Sequence, residues 1–160
     1  MTQYLIRLSS EGLIFFVRML DSLRKIKNEY NMSKGGDFMS KVKTLQKKLL
    51  SISGIIAKVQ KDDPDIDNLL TDGILLDKPN DILLSGEMCQ CHKNSAYLWM
   101  NNKSKYKIMT GYALSESGIW HQHSWLMNKD KIVETTVNRS KYFGYILSPL
   151  ESEIFVSQYF

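Results

Sequence analysis

A chain of 160 residues, 43% of them hydrophobic, with a formal net charge of +4, is long and apolar enough for one folded domain, which excludes global disorder. Its longest apolar run, Gly12 to Leu20, contains Arg18 and is too short to cross a bilayer. The N-terminus Met1-Thr2-Gln3-Tyr4 lacks the basic and small-residue features of a signal peptide, so a cytoplasmic protein with no membrane partner is expected.

Charge is unevenly spread along the chain. Residues 1–61 carry a net +8, residues 62–88 a net −7 and residues 89–160 a net +3. A basic helical region suits either a nucleic-acid partner or a solvated face docked near the acidic segment. Lys outnumbers Arg 17 to 4, and bidentate phosphate readers prefer Arg, which favours the solvated face. The richness in Lys, Asn and Ile is that of an AT-rich bacterial or phage genome.

Three segments emerge from the pattern: a helical hairpin over 1–61, a connecting belt over 62–88 and an α+β core over 89–160. In the first, Leu13, Phe16, Val17, Leu20 and Leu23 repeat at helical spacing until Gly35-Gly36 breaks the pattern. Asp37 is the expected N-cap of a second helix whose stripe is Phe38, Val42, Leu45, Leu49 and Ile52, ended or kinked at Gly54. The belt is punctuated by Asp62-Asp63-Pro64-Asp65, Asp72-Gly73, Lys78-Pro79-Asn80-Asp81 and Ser85-Gly86, and reads as irregular.

A helix is expected from Cys91 to about Asn101, packing Tyr97, Leu98, Trp99 and Met100 under a sheet. Strands come next over Tyr106–Leu114, Ile119–Met127, Lys131–Val137 and Tyr142–Leu147, with polar turns between them. One helix followed by an antiparallel β-meander is an α+β arrangement.

The chemistry gathers in this last segment. A free thiol has a pKa of about 8.5, and a helix N-terminus, where Cys91 is expected, lowers it by stabilising thiolate. On a strand, His121, His123 and Trp125 share one face, while Gln122, Ser124 and Leu126 share the other. Whether Glu134 reaches His123 depends on the hairpin. A four-residue loop, Met127 to Asp130, sets the two directly opposite, a two-residue loop keeps the face but offsets them diagonally, and a three-residue loop puts Glu134 on the wrong face. A thiol, a base to activate it and an acid to orient the base are what a thiol hydrolase needs.

This order of residues (Cys91 at a helix start, Gly111-Tyr112 on a strand, His123-Ser124-Trp125 on the next, Glu134-Thr135-Thr136 on the one after) resembles the papain-like superfamily in its transglutaminase-like form, over roughly residues 86–147. The resemblance implies Cys91 as nucleophile, His123 as base, Glu134 as orienting acid, and the Cys91 backbone N–H as an oxyanion donor. A side-chain donor is open between Gln90, Asn94 and Gln122. The expected activity is hydrolysis or acyl transfer at a peptide or carboxamide bond of a protein or peptide substrate, without a cofactor. Two rivals remain. Cys89, Cys91, His92, His121 and His123 are zinc-ligating types, with Cys89, Cys91, His121 and His123 the expected set. Alternatively, the chain is a non-enzymatic inhibitor or binding protein of a phage or bacterium on this fold.

Overall fold

The computed structural model describes residues 37–77, 82–83 and 86–160. The helix expected over Leu13–Leu23 lies outside these residues, and with it the helical hairpin. The chain divides into two compact units, 1–39 and 40–160. In chain order the elements of the second are a helix ending at residue 52 (α1, helical from residue 37), β1 (Ile56–Ala57), α2 (Ile66–Asp72), β2 (Ile74–Asp77), β3 (Ile82–Leu83), α3 (Cys91–Asn101), β4 (Lys107–Leu114), β5 (Ile119–Asn128), β6 (Lys131–Glu134), β7 (Lys141–Ile146) and α4 (Pro149–Ser157). The class is mixed α+β. Among the described residues no helix is long and apolar enough to cross a membrane.

The strands form one mixed sheet in the order β2-β7-β4-β5-β6-β3, with β1 added to β5. This corrects the expected meander: β7 pairs antiparallel with β4, not with β6. The belt is also more ordered than its Pro, Gly and Asp content suggests. Its short apolar pieces become α2, β2 against β7, and β3 parallel to β6. Two-to-four-residue strands carry too little periodicity to read locally; they form because longer neighbours offer open edges.

α1 buries Val42, Leu45 and Leu49, the spacing of one helical stripe, and the Lys48 ammonium sits 4.7 Å from the centre of the Phe143 ring. The helix stops before Gly54, whose φ of +91° and 2.9 Å clearance between an added Cβ and the Gly118 carbonyl both require glycine. α3 has the expected bounds, but its buried face is Ser95, Ala96 and Trp99, whereas Tyr97 and Met100 are exposed. α4 escaped the sequence reading although its signal is plain. Ser148 and Glu151 make a reciprocal capping box with Pro149 in the first turn.

β5 is buried on both faces from His123 to Met127. One face meets Met109, Ala113 and Tyr142, which surround Trp125 in the sheet's own core. Gly144 makes room for that indole, since an added Cβ would lie 2.6 Å from Trp125 Cη2. The decisive feature is along one edge of β5. β1 pairs with it at Ile119 and Trp120, and β6 pairs with it at Leu126 to Asn128. Among the described residues no strand covers 121–125 on that edge. His123 stands in this gap.

Candidate active site

The thiol arrives at the gap on the first residue of α3. No side chain caps this helix start, so the first-turn N–H groups stay open beside Cys91. Cys91 is partly buried and lies beside two imidazoles, His123 and His92. Burial alone would push the thiol up. The imidazoles, His123 foremost, outweigh it and bring the thiol down to about 5.

His123 is braced from behind. Its Nε2 lies 2.8 Å from Glu134 Oε2, which leaves Nδ1 for the thiol. Burial opposes its protonation, but the hydrogen bonds and charges of Cys91 and Glu134 raise it to about 9. The thiol is lowered and the imidazole raised, the directions that favour a thiolate–imidazolium pair, and the two groups titrate together.

Glu134 reaches His123 through the offset register. Leu126 faces Val133 and Asn128 faces Lys131, so the loop is Lys129-Asp130, and the direct opposition drawn from a four-residue loop is corrected to a diagonal. The parity is unchanged, and the length of Glu spans the offset. Its carboxylate is fully buried. Oε1 accepts from the backbone N–H groups of Thr135 (2.8 Å) and Thr136 (3.0 Å) and from the Thr136 hydroxyl (3.0 Å). Oε2 accepts from the Tyr142 hydroxyl at 2.9 Å. Burial raises this carboxyl, but His123 and the backbone donors win and hold it at about 2. Tyr142 is thus a donor to the Glu134 carboxylate. Its position on β7 gave no local sign of this.

The support residues separate. Asn94 donates to the Glu87 carbonyl at 2.8 Å and accepts from the Glu87 N–H at 3.3 Å, so it ties the strap at Gly86-Glu87 to α3 rather than offering a donor to an oxyanion. Gly86 in turn donates to the Thr135 carbonyl at 3.0 Å, next to Glu134. Gln90 is the exposed N-cap residue. Gln122 is half-buried and lines a cleft of about 590 Å³ together with His92.

The zinc set is not gathered. Among the described residues no three of Cys, His, Asp and Glu are grouped to hold a metal ion. Cys89 is exposed. His121 is pushed down by burial and by the charges of Arg139 and Lys58, surroundings that oppose a metal cation. The nucleic-acid reading of 1–61 rests largely on residues outside the described ones. Within them, Lys43 and Lys47 of α1 are exposed, and Lys41 pairs with Asp67 at 3.0 Å.

The sequence offers His92 only as a zinc-ligating type outside the expected set, with no role beside the thiol. Its Nδ1 lies 2.7 Å from Ser124 Oγ, and its ring stacks on Tyr159 with centroids 6.3 Å apart. The only available signal was its adjacency to Cys91. No protein-family model, curated protein or solved structure matches this chain.

Proposed function

We propose that this chain is a thiol-dependent hydrolase or acyltransferase acting on a peptide or carboxamide bond, built on a papain-like core of the transglutaminase-like form. One observation carries the reading: a half-buried thiol at a helix start lies beside a buried imidazole that is itself braced at 2.8 Å by a buried carboxylate, surroundings that lower the thiol and raise the imidazole. A nucleophile, a proton carrier and an orienting acid in line are the parts of nucleophilic acyl transfer.

In this reading Cys91 Sγ attacks the carbonyl carbon. The developing oxyanion meets the open N–H groups of the first α3 turn and the Gln122 amide. The His123 imidazolium gives its proton to the leaving amine, and Glu134 keeps the ring turned toward the thiol. The acyl-enzyme then passes to water or to an amine. The test compares Cys91→Ala with Cys89→Ala under iodoacetamide at pH 6. The Cys89→Ala protein, which keeps Cys91, should be alkylated at least about tenfold faster than its counterpart, because only a thiol titrating well below 8.5 is substantially ionised there. Equal, slow labelling of both would overturn the reading.

A further inference from the structure

The Cys91 thiol touches two imidazoles, and acylation through His123 uses only one. The second, His92, heads a chain of hydrogen bonds. Ser124 Oγ donates to Thr110 Oγ1 at 3.3 Å, and Thr110 Oγ1 donates to Asp65 Oδ2 at 3.2 Å. Counting protons fixes the direction of the whole chain. The Asp65 carboxylate only accepts, so Thr110 spends its one hydroxyl proton there. Ser124 then spends its own on Thr110. What Ser124 has left for His92 is a lone pair, so the His92 nitrogen at 2.7 Å, Nδ1, must carry a hydrogen. Nε2 is the nitrogen left open to proton exchange: it carries a lone pair when the ring is neutral and an N–H for the thiolate when the ring is charged.

The ring is also held in place. It stacks on Tyr159 at 10° between planes and meets Phe155 edge-on with centroids 6.1 Å apart. Both aromatic residues come from the C-terminal end of the chain. The cleft beside it is lined by His92, Gln122, Thr110, Asp65, Tyr145 and Tyr159, so a molecule entering there meets the His92 ring.

Resting on the thiol reading, we propose that His92 is a second catalytic imidazole: the base that takes the proton of the acceptor, water or a primary amine, as it attacks the acyl-enzyme from this cleft. The acceptor's O–H or N–H proton passes to His92 Nε2. Its lone pair forms the new C–O or C–N bond. The C–S bond breaks, and its electron pair returns to Cys91 Sγ. Handing the proton on to His123, left neutral by the departure of the first amine, restores the resting thiolate–imidazolium pair. One imidazole thus serves acylation and the other serves transfer, each locked in its tautomer by a carboxylate, Glu134 directly and Asp65 through two hydroxyls.

The test uses p-nitrophenyl acetate on the full chain, where the burst of p-nitrophenol reads acylation and the subsequent steady rate reads transfer to water. His92→Asn keeps an amide donor where Nδ1 meets Ser124 and has nothing at Nε2. Read at pH 8, where His123 still holds the thiol below its ordinary range, its burst should stay within about threefold, while its steady rate should fall on the order of 100-fold, the range of a lost general base. His92→Gln, which keeps bulk toward the thiol but no base, should behave alike and guards against a folding defect peculiar to either variant. Ser124→Ala frees the tautomer and should lower the steady rate by about tenfold. A steady rate unchanged in both His92 variants, or a burst falling in parallel with it, would overturn the proposal. A burst lost in His123→Ala but present in His92→Asn leaves the thiol reading standing whatever the steady rates show. No burst in the unsubstituted protein would sink both.

Discussion

Glu134 and Asp65 stand at the far ends of the two imidazole arms of one thiol, yet their surroundings drive them in opposite directions. Glu134 is fully buried and is nevertheless held down at about 2. Asp65 is only partly buried and is pushed up by that burial and by the negative charges of Asp63 and Glu151, which its hydroxyl donors Tyr145 and Thr110 do not offset. The difference lies in the donors. Glu134 faces an imidazolium and two backbone N–H groups, whereas Asp65 faces neutral hydroxyls. Desolvation is overcome where the partner is charged and fixed, and not where the partners are neutral. The buried arm is therefore built to hold charge, and the cleft arm to orient a ring through hydroxyls.

The largest contrast is expected on replacing each carboxylate by its amide. Glu134→Gln leaves the His123 imidazolium buried without its counter-charge and should cost about 3–5 kcal/mol of unfolding free energy at pH 7. Asp65→Asn removes a carboxylate with no cationic partner among the described residues and should change stability by under about 1 kcal/mol, because what it loses is hydrogen bonds to neutral donors. Urea titration of both variants checks this, and equal losses would break the comparison.

The pH dependence sharpens it next. Cys91 alkylation should rise through about pH 5 and hold a plateau, because the thiol is ionised above that value in the folded chain. His123→Ala should carry the midpoint upward, since it removes the hydrogen bond that most lowers the thiol. Stability obeys the same signs. Glu134 is depressed from 4.5 to about 2, so its contribution is complete above pH 4.5 and is lost as pH falls toward 2. His123 is raised from 6.5 to about 9, so its contribution is complete below 6.5 and is lost as pH rises through 9. Asp65 is raised, so its share runs opposite to Glu134: it is present at acid pH and fades as pH rises past its folded value. Cys91 is lowered from 9.0 to about 5, so its contribution is complete above 9 and is lost as pH falls through 5, which offsets the fading of His123 between 6.5 and 9. Unfolding curves from pH 3 to 10 should therefore rise to about pH 6.5 and stay roughly level to about 9.

A smaller effect is expected at Tyr142. Tyr142→Phe removes one charge-accepting hydrogen bond of 2.9 Å and should cost about 1.5–3 kcal/mol, with a modest upward shift of the alkylation midpoint. The smallest belongs to the helix that carries the Tyr159 wall: Ser148→Ala opens the α4 capping box and should cost about 1 kcal/mol, read by thermal unfolding, with the Cys91 alkylation rate unchanged.

Much of this was legible along the chain, for a local reason. A strand alternates sides at every residue, so His123 and Glu134 keep a common face for any even loop. A helix start announces itself through the break in pattern before Cys91, and α3 runs over the expected residues. The α4 cap is legible too, in Ser148-Pro149-x-Glu151, although the strand pattern just before it draws the reading to Leu147 and no further.

By itself, then, the sequence determined an α+β class, the start of α3 at Cys91, and the parity that sets His123 and Glu134 on one side of the strands, because these depend on neighbours within a few residues. Only the tertiary structure decided that β7 lies beside β4, that β1 and β6 leave 121–125 of β5 open for the thiol, that Tyr142 serves Glu134, and that Ser124, Thr110 and Asp65 set the tautomer of His92. Those partners stand far apart in the chain, Thr110 and Asp65 by 45 residues, and no periodicity encodes which distant edge or hydroxyl a folded backbone brings into reach.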